Sequence, residues 1–488
     1  SQLASSVCNM SGTTILSELP NSSLFQFPPS HYPIGVPPPP PGVSSSNFAI
    51  PDHIYNAVLD PRVPITIAAT YAVTIKLLNR YNTSTNKRPW AISKTGPFKV
   101  FVILHNIFLA VYSAWTFWGM LNGMRRAIVS PFGPHGLAAT ADSLCQMNGP
   151  AGYGHATVYN ETLGQWTSLN GAISLSANGN PSTDVYGRLW NEGLSFYGWI
   201  FYLSKFYEVL DTFIILAKGK LSSTLQTYHH AGAMMCMWAG MRYMSAPIWM
   251  FVLVNSFIHA LMYTYYTITA FNIRVPTPIK RSLTTMQITQ FLVGASYAML
   301  HSFVSYTVPV TVYTEKSASA AAAASASSSS SLPTAEAIVK ASVGAIESIK
   351  NMIYGAASES AVAAAASDAT GAAAAAAAAA VPAGLQAETV WVTQPCITTS
   401  GETFGIWLNV LYLAPLTYLF GMFFVRSYLR RSSAQDLKPK GKSRRESNVT
   451  LAEKAGWDAA KEVSSEIYNQ GAEEAVVTGP KTRKGRKN

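Results

Sequence analysis

Long apolar runs separated by short basic connections set the organisation of this chain. Seven runs stand out: Val63–Leu78, Val100–Met120, Leu194–Leu216, Leu225–Met244, Ile248–Phe271, Leu283–Tyr306 and Phe404–Val425. Crossing a hydrocarbon layer takes about 20 apolar residues as a helix. Isolated strands cannot satisfy their backbone there, so the pattern predicts seven helices. The first run is short and needs its flanks or a thin bilayer. The segments outside these runs are different in kind. Residues 1–62 are polar and Pro-rich, with Pro37 to Pro41 unbroken, and read as a disordered arm. They lack a basic stretch followed by an apolar core, so no cleavable signal peptide is expected. Residues 315–386 form an Ala/Ser-rich insertion of low complexity; only Val339, Val343, Ile346 and Ile353 keep helical spacing, which predicts a short amphipathic helix over Ala335–Tyr354. Residues 427–488 form a basic tail that reads as disordered, with Arg444 to Ser447 resembling a basophilic kinase site. The working part is therefore expected in 63–306 and 404–426.

Composition sharpens this. The chain has 488 residues, 49 % hydrophobic and only 12 % charged, about half the charged share of soluble domains. The fold class expected is an all-α polytopic membrane protein, with the bilayer as its first partner. A net charge of +11 raises the question of nucleic acid, but 15 of the 35 Lys and Arg residues lie from Arg426 onward. No basic binding face is left on the folded part, so nucleic acid is not an expected partner.

The basic residues also orient the chain. Arg80, Lys87, Arg88, Lys94 and Lys99 follow the first run, Lys218 and Lys220 the third, and Arg274, Lys280 and Arg281 the fifth. The connections on the other side are poorer in them. The positive-inside rule then puts the N-terminus in a lumen or outside and the C-terminus in the cytosol. Sequons at Asn9, Asn21 and Asn160 become glycosylation candidates, and those at Asn82 and Asn448 chance matches. Cys8, Cys145 and Cys396 face an oxidising compartment in this arrangement. Cys145 and Cys396 lie in the two long lumenal loops, which makes a disulfide between them a hypothesis.

Ionisable side chains recur inside the runs, where each costs several kcal/mol, about 2.5–3.5 on insertion scales. Lys205, Glu208 and Asp211, with Thr212 beside them, are three apart and share a helix face. Gln226, His229 and His230 open the fourth run. Asn255 and His259 share a face of the fifth, with Met262, Tyr263 and Tyr266 below. Thr284, Gln287 and Gln290 repeat the threefold spacing on the sixth, and His105 and Asn106 begin the second. All fall in the cytosolic half, which predicts a bundle enclosing a polar chamber open to the cytosol. Simpler explanations exist for some of them. Lys205 with Glu208 or Asp211 can be a buried ion pair that orders the bundle; His105 and His301 read as packing residues, and the tyrosines as chamber walls. Adjacent histidines with a third on the next helix are harder to explain that way. A di-iron site needs more histidines and matched carboxylates, so no metal is expected. Imidazole suits nucleophilic or general-base work near neutrality, and amides suit an oxyanion or enolate. Cys236 lies too deep to serve as a condensing thiol.

These residues are similar to the signature of the ELO family, the membrane elongases of very-long-chain fatty acids. The matching motifs are KxxExxDT at Lys205–Thr212, the histidine box at Gln226–His230, NxxxHxxMYxYY at Asn255–Tyr266 and TxxQxxQF at Thr284–Phe291. The arm, insertion and tail fall outside the resemblance, as in a fungal-like variant. It implies a 3-oxoacyl-CoA synthase of the endoplasmic reticulum that condenses malonyl-CoA with a long-chain acyl-CoA, with no bound cofactor. His229 would take up the acyl group as an acyl-imidazole. His259 would assist the enolate, and His230, Gln226 and Asn255 would position or stabilise charge. Lys205, Glu208 and Asp211 would shape the chamber. Lys218, Lys220, Arg274, Lys280 and Arg281 could meet CoA phosphates, although topology alone accounts for them equally well. The reductase, dehydratase and enoyl reductase of the elongation cycle, and a second copy of the chain, are the implied partners. Gln226 stands where the family's box often begins with His, resembling elongases of polyunsaturated chains; such products feed lipid and sphingolipid synthesis. A seven-helix receptor or transporter, and a membrane desaturase or hydroxylase, stay open as alternatives.

Overall fold

The computed structural model describes residues 12–29, 35–40, 48–170, 173–315 and 385–425. The chain divides into two compact units, one of residues 1–310 with 391–488 and the other Thr311–Val390. In the second, the described residues are the outer ends of two strands. Asn9, Cys8, the amphipathic segment over 335–354, nearly all of the insertion and the basic tail lie outside the described residues.

The first unit is mostly helical. After strand β1 (Ile15–Ser17) come α1 (Asp52–Val58), α2 (Arg62–Ser84), α3 (Gly96–Ala127) and α4 (Gly136–Cys145). A hairpin, β2 (Thr157–Asn160) and β3 (Gln165–Ser168), leads to α5 (Ser195–Tyr207), α6 (Val209–Ala217) and α7 (Thr224–Arg242). A short α8 (Ile248–Met250) runs through a π-helical turn at Phe251–Asn255 into α9 (Ser256–Ala270). Then follow α10 (Thr277–His301), β4 (Val304–Glu315), β5 (Leu385–Pro395) and α11 (Ser400–Phe424).

Local chemistry sets the helix starts. Thr95 caps α3 by accepting from the Phe98 N–H, with Pro97 in the first turn, and Ser223 caps α7 through the Gln226 N–H. Thr399 and Glu402 form a reciprocal capping box on α11. Helical structure occupies most of each apolar run. Among the described residues, three helices are long and apolar enough to cross a membrane: Gly96–Ala127, Ile248–Ala270 and Ser400–Phe424. Their outward faces carry large apolar side chains such as Leu104, Val111, Trp118, Leu411 and Tyr418, all exposed, as a lipid-facing surface requires. By the same measure α2, α7 and α10 are too polar, and α5 and α6 too short.

Four expectations are corrected. First, the chain is not all-α. Strands β1, β4 and β5 form a sheet in the order β1-β4-β5, and β2 pairs with β3; β1 runs antiparallel to β4 with Leu16 opposite Ser305. Second, the sixth run does not stay helical to Tyr306. The helix ends at His301 and the chain turns into β4, where Tyr306 is fully buried and donates to Asp142. The β-branched alternation after Phe303 favours a strand there. Third, the described parts of the arm are structured. Beyond β1, Val36 is buried and its carbonyl accepts from the Trp190 indole at 2.9 Å, and Tyr55 of α1 is buried and stacks on Trp199. Apolar residues scattered in a polar, Pro-rich stretch found a hydrophobic surface to cover. Fourth, the third run is not one continuous helix but α5 and α6 joined at Glu208.

The aromatic core lies where α5, α7 and α11 meet the arm, around Trp190, Tyr202, Trp238 and Leu416. A second, smaller cluster surrounds the disulfide that joins Cys145 to Cys396, whose Cα atoms are 4.9 Å apart. Beside it Arg188 is buried, pairs with Asp142 at 2.7 Å and donates to four main-chain carbonyls, those of Pro150, Asp142, Gln146 and Gly152. Asn160 ends β2 and accepts from the Thr162 and Leu163 N–H groups; Asn21 caps a short 3-10 turn.

Candidate active site

The break between α5 and α6 builds the centre. At Glu208 the main chain tightens: the Glu208 N–H still bonds Ser204, but the Asp211 N–H reaches back only three residues, to Glu208. The turn keeps Lys205 and Glu208 on one side, and Lys205 Nζ meets Glu208 Oε1 at 2.6 Å with both side chains buried. Ser204 Oγ donates to the same carboxylate oxygen at 2.9 Å. Lys205 also donates to Asn255 Oδ1 at 3.3 Å, and its ammonium lies 4.1 Å from the Phe201 ring centre. Asn255 closes the π-helical turn, and such turns re-aim side chains at functional positions.

His259, one turn further along α9, places Nδ1 3.6 Å from Glu208 Oε1, too far for a hydrogen bond, and Nδ1 has no hydrogen-bonding partner. Lys205, Glu208 and His259, all buried, and the half-buried Asn255 therefore form one group from two segments. The sequence pattern allowed Lys205 either acidic partner; it takes Glu208.

Asp211 belongs to a second group. Its Oδ1 lies 2.8 Å from His105 Nε2, and its Oδ2 accepts from the Tyr263 hydroxyl at 2.5 Å. His105 Nδ1 is 3.3 Å from the Tyr207 hydroxyl. His105 is thus held in a polar network rather than by packing alone, and Tyr263 is a hydrogen-bonding member of it. His301, in contrast, bonds the carbonyl of Tyr297 in its own helix.

The adjacent histidines diverge, as neighbouring residues on a helix must. The His229 ring lies near Phe291 and Phe420, and its Nδ1 is 3.1 Å from the Tyr412 hydroxyl. His230 is buried edge-on to Tyr71, whose hydroxyl meets Thr212 Oγ1 at 2.9 Å. Gln226 is half-buried and contributes its N–H to the Ser223 cap.

The sixth-run residues are split. Gln290 is buried with Oε1 unpaired, and Gln287 Nε2 approaches the Met262 sulfur at 3.4 Å. Thr284 Oγ1 donates to the Lys280 carbonyl of its own helix, and Tyr266 is 40 % exposed. Lys218, Lys220, Arg274 and Arg281 stand exposed on connections or helix ends, and Lys280 faces Tyr265. Desolvation by the neighbouring chain pushes the Lys218 and Lys220 ammonium groups below the usual lysine range, with the Lys218 charge adding to the effect on Lys220.

Among the described residues, the group of His and Cys donors with metal-ligand spacing is Cys145, His301 and Cys396. Its sulfurs are joined as a disulfide and are not thiolate ligands. Buried Cys236 faces the Leu408 carbonyl. A separate cavity of about 480 Å³, lined by residues including His135, Tyr153 and His155, contains none of the polar groups above.

Sequence reasoning missed Tyr412, Tyr71 and Tyr207. The first is an isolated tyrosine in an apolar run, without a spacing signal. His105, expected as a packing residue, instead bonds Asp211 and Tyr207.

Fold and site together define a mostly helical membrane protein whose buried centre combines histidines, carboxylates, a lysine and tyrosine hydroxyls. The chain belongs to the ELO family (GNS1/SUR4 family), whose model matches residues 56–436. It is 39 % identical over 127 residues to the fatty acid elongase sre1 of Dictyostelium discoideum, 26 % of this chain and 44 % of that one. It is 34 % identical over 128 residues to the putative fatty acid elongase 4 of Caenorhabditis elegans, 26 % of this chain and 44 % of that one. To the human very long chain fatty acid elongase 3 it is 34 % identical over 110 residues, 22 % of this chain and 41 % of that one. The chain spans less than half the length of these relatives. No solved structure matches it.

Proposed function

We propose that the protein is a fatty acid elongase that performs the condensing step: malonyl-CoA and a long-chain acyl-CoA give 3-oxoacyl-CoA, CO2 and free CoA. The observation that carries this reading is the group formed by buried His259, Glu208 and Lys205 with Asn255, with the His229–His230 pair on α7, in a chain of the ELO family. A lone buried charge would be costly, whereas paired charges around histidines make a water-poor site for charge development.

In this reading the Nε2 lone pair of the His229 imidazole attacks the thioester carbon of acyl-CoA, the C–S bond breaks, and the departing CoA thiolate takes up the proton that the acylated ring releases. The acyl group then rests on the ring as an acyl-imidazole. Malonyl-CoA loses CO2, the electron pair of the broken C–C bond becomes an enolate that attacks the acyl carbon, and the departing ring takes up a proton from water to return as neutral imidazole. His259, Asn255 and Lys205 are placed to stabilise the enolate oxygen, and Glu208 to hold Lys205 and the imidazolium form of His259. His230 and Gln226 position the acyl group. Lys218, Lys220, Arg274, Lys280 and Arg281 would receive the CoA phosphates. The reading includes seven membrane crossings around a chamber open to the cytosol, an N-terminus in the lumen of the endoplasmic reticulum, and product passed to a 3-oxoacyl-CoA reductase, then a dehydratase and an enoyl reductase.

The test uses microsomes carrying the chain, given labelled malonyl-CoA and an acyl-CoA panel. Extension by two carbons that His229→Ala abolishes is the expected result. Malonyl-independent desaturation, or ligand binding without extension, would overturn the reading.

A further inference from the structure

Tyr412 lies within the apolar run of α11, outside every motif of the chain, yet its hydroxyl meets His229 twice. It donates to the His229 main-chain carbonyl at 2.9 Å and lies 3.1 Å from the ring Nδ1. A phenol has one proton to give, and a carbonyl can only accept. The proton is therefore committed to the carbonyl, and the contact with the ring must be made by a proton on Nδ1, donated to a lone pair of the phenol oxygen. The opposite assignment would leave phenol and carbonyl lone pairs facing each other in a buried site, which is costly.

The ring that carries this hydroxyl is held in place. Tyr228 packs against it at 5.4 Å between ring centres and donates its own hydroxyl to the Tyr412 carbonyl at 3.2 Å. Gly232, one turn from His229, leaves the space the ring occupies; a Cβ there would run into Tyr412.

We propose that Tyr412 is a positioning residue that fixes His229 as the Nδ1–H tautomer, leaving the Nε2 lone pair free. The catalytic meaning of this rests on the reading of His229 as the acyl acceptor; the tautomer itself does not. A nucleophilic nitrogen must carry its lone pair outward, and a ring that samples both tautomers would be competent only part of the time.

The experiment uses the full chain in lipid nanodiscs with 15N-labelled histidine, His229 being assigned by the signal lost in His229→Gln. Wild type is expected to show His229 protonated at Nδ1 and bare at Nε2, and Tyr412→Phe to shift it toward the other tautomer. In a parallel assay, CoA release from acyl-CoA without malonyl-CoA should fall about tenfold in Tyr412→Phe, the worth of one neutral hydrogen bond, with the acyl-CoA KM unchanged. A wild-type His229 protonated at Nε2 would overturn the proposal, as would a Tyr412→Phe tautomer identical to wild type. If Tyr412→Phe does not fold, the wild-type spectrum decides alone. If His229→Gln condenses normally, the acyl-acceptor reading fails while the spectra still decide what Tyr412 does.

Discussion

Lys205 and Glu208 form an ion pair with Nζ and Oε1 2.6 Å apart, buried at the break between α5 and α6. The pair anchors the site, because Asn255 and His259 of the next segment both approach it. Removing one partner strands the other as an uncompensated buried charge, at a cost of about 3–5 kcal/mol. Glu208→Gln should therefore lower the unfolding temperature in detergent micelles strongly, and Lys205→Met/Glu208→Leu much less. Equal losses from the single and double changes would show that the pair is not what holds this break.

Asp211 serves His105 and Tyr263 at once. Asp211→Asn weakens two charge-assisted hydrogen bonds of about 1.5–3 kcal/mol each, whereas Tyr263→Phe removes one. Elongation by Asp211→Asn should fall about 10–100-fold and by Tyr263→Phe less. A Tyr263→Phe loss as large as that of Asp211→Asn would put the phenol, not the carboxylate, at the centre of this network.

Gln226→His should shift the preferred chain length or unsaturation without abolishing condensation, because Gln226 opens the histidine box one turn before His229 and His230. An acyl-CoA panel reads this directly. Unchanged product profiles count against a role for Gln226 in substrate choice.

The Cys145–Cys396 bridge closes a loop with a sequence separation of 251. Losing such a link costs about 2–5 kcal/mol in small oxidised domains. Cys145→Ser, Cys396→Ser and the double change should be destabilised equally, since each removes the same bond, and non-reducing peptide mapping should recover the linked peptides. Two free thiols, or additive losses, would contradict this.

Lys218 and Lys220 stand exposed with their ammonium groups pushed below the usual lysine range. If they receive CoA phosphates, Lys218→Gln/Lys220→Gln should raise the acyl-CoA KM, and salt should shrink the difference, as screening acts over about 10 Å at 0.1 M. The wild-type KM should also rise with pH, at a lower pH than the loss of charge from ordinary lysines would produce, because desolvation lowers both ammonium groups. A KM insensitive to salt and to both changes would leave topology as the reason for these residues.

Periodicity and charge were enough to place the apolar runs, because helix length and hydrophobicity are local properties of the chain. The presence of a buried polar layer was legible in the same way: a lysine, carboxylates and histidines in apolar runs announce themselves by the cost of burying them. Partner choice was only partly local. Lys205 meets Glu208 three residues along its own helix, whereas Asp211 turns to His105 of α3 and Tyr263 of α9, partners that only the packing of the helices supplies. The β-sheet was hidden because β1 and β4 are far apart in sequence and pair only once the chain has folded. Tyr412 was hidden for the same reason: it stands far from His229 along the chain, and only the packing of α11 against α7 puts its single proton where it selects a tautomer.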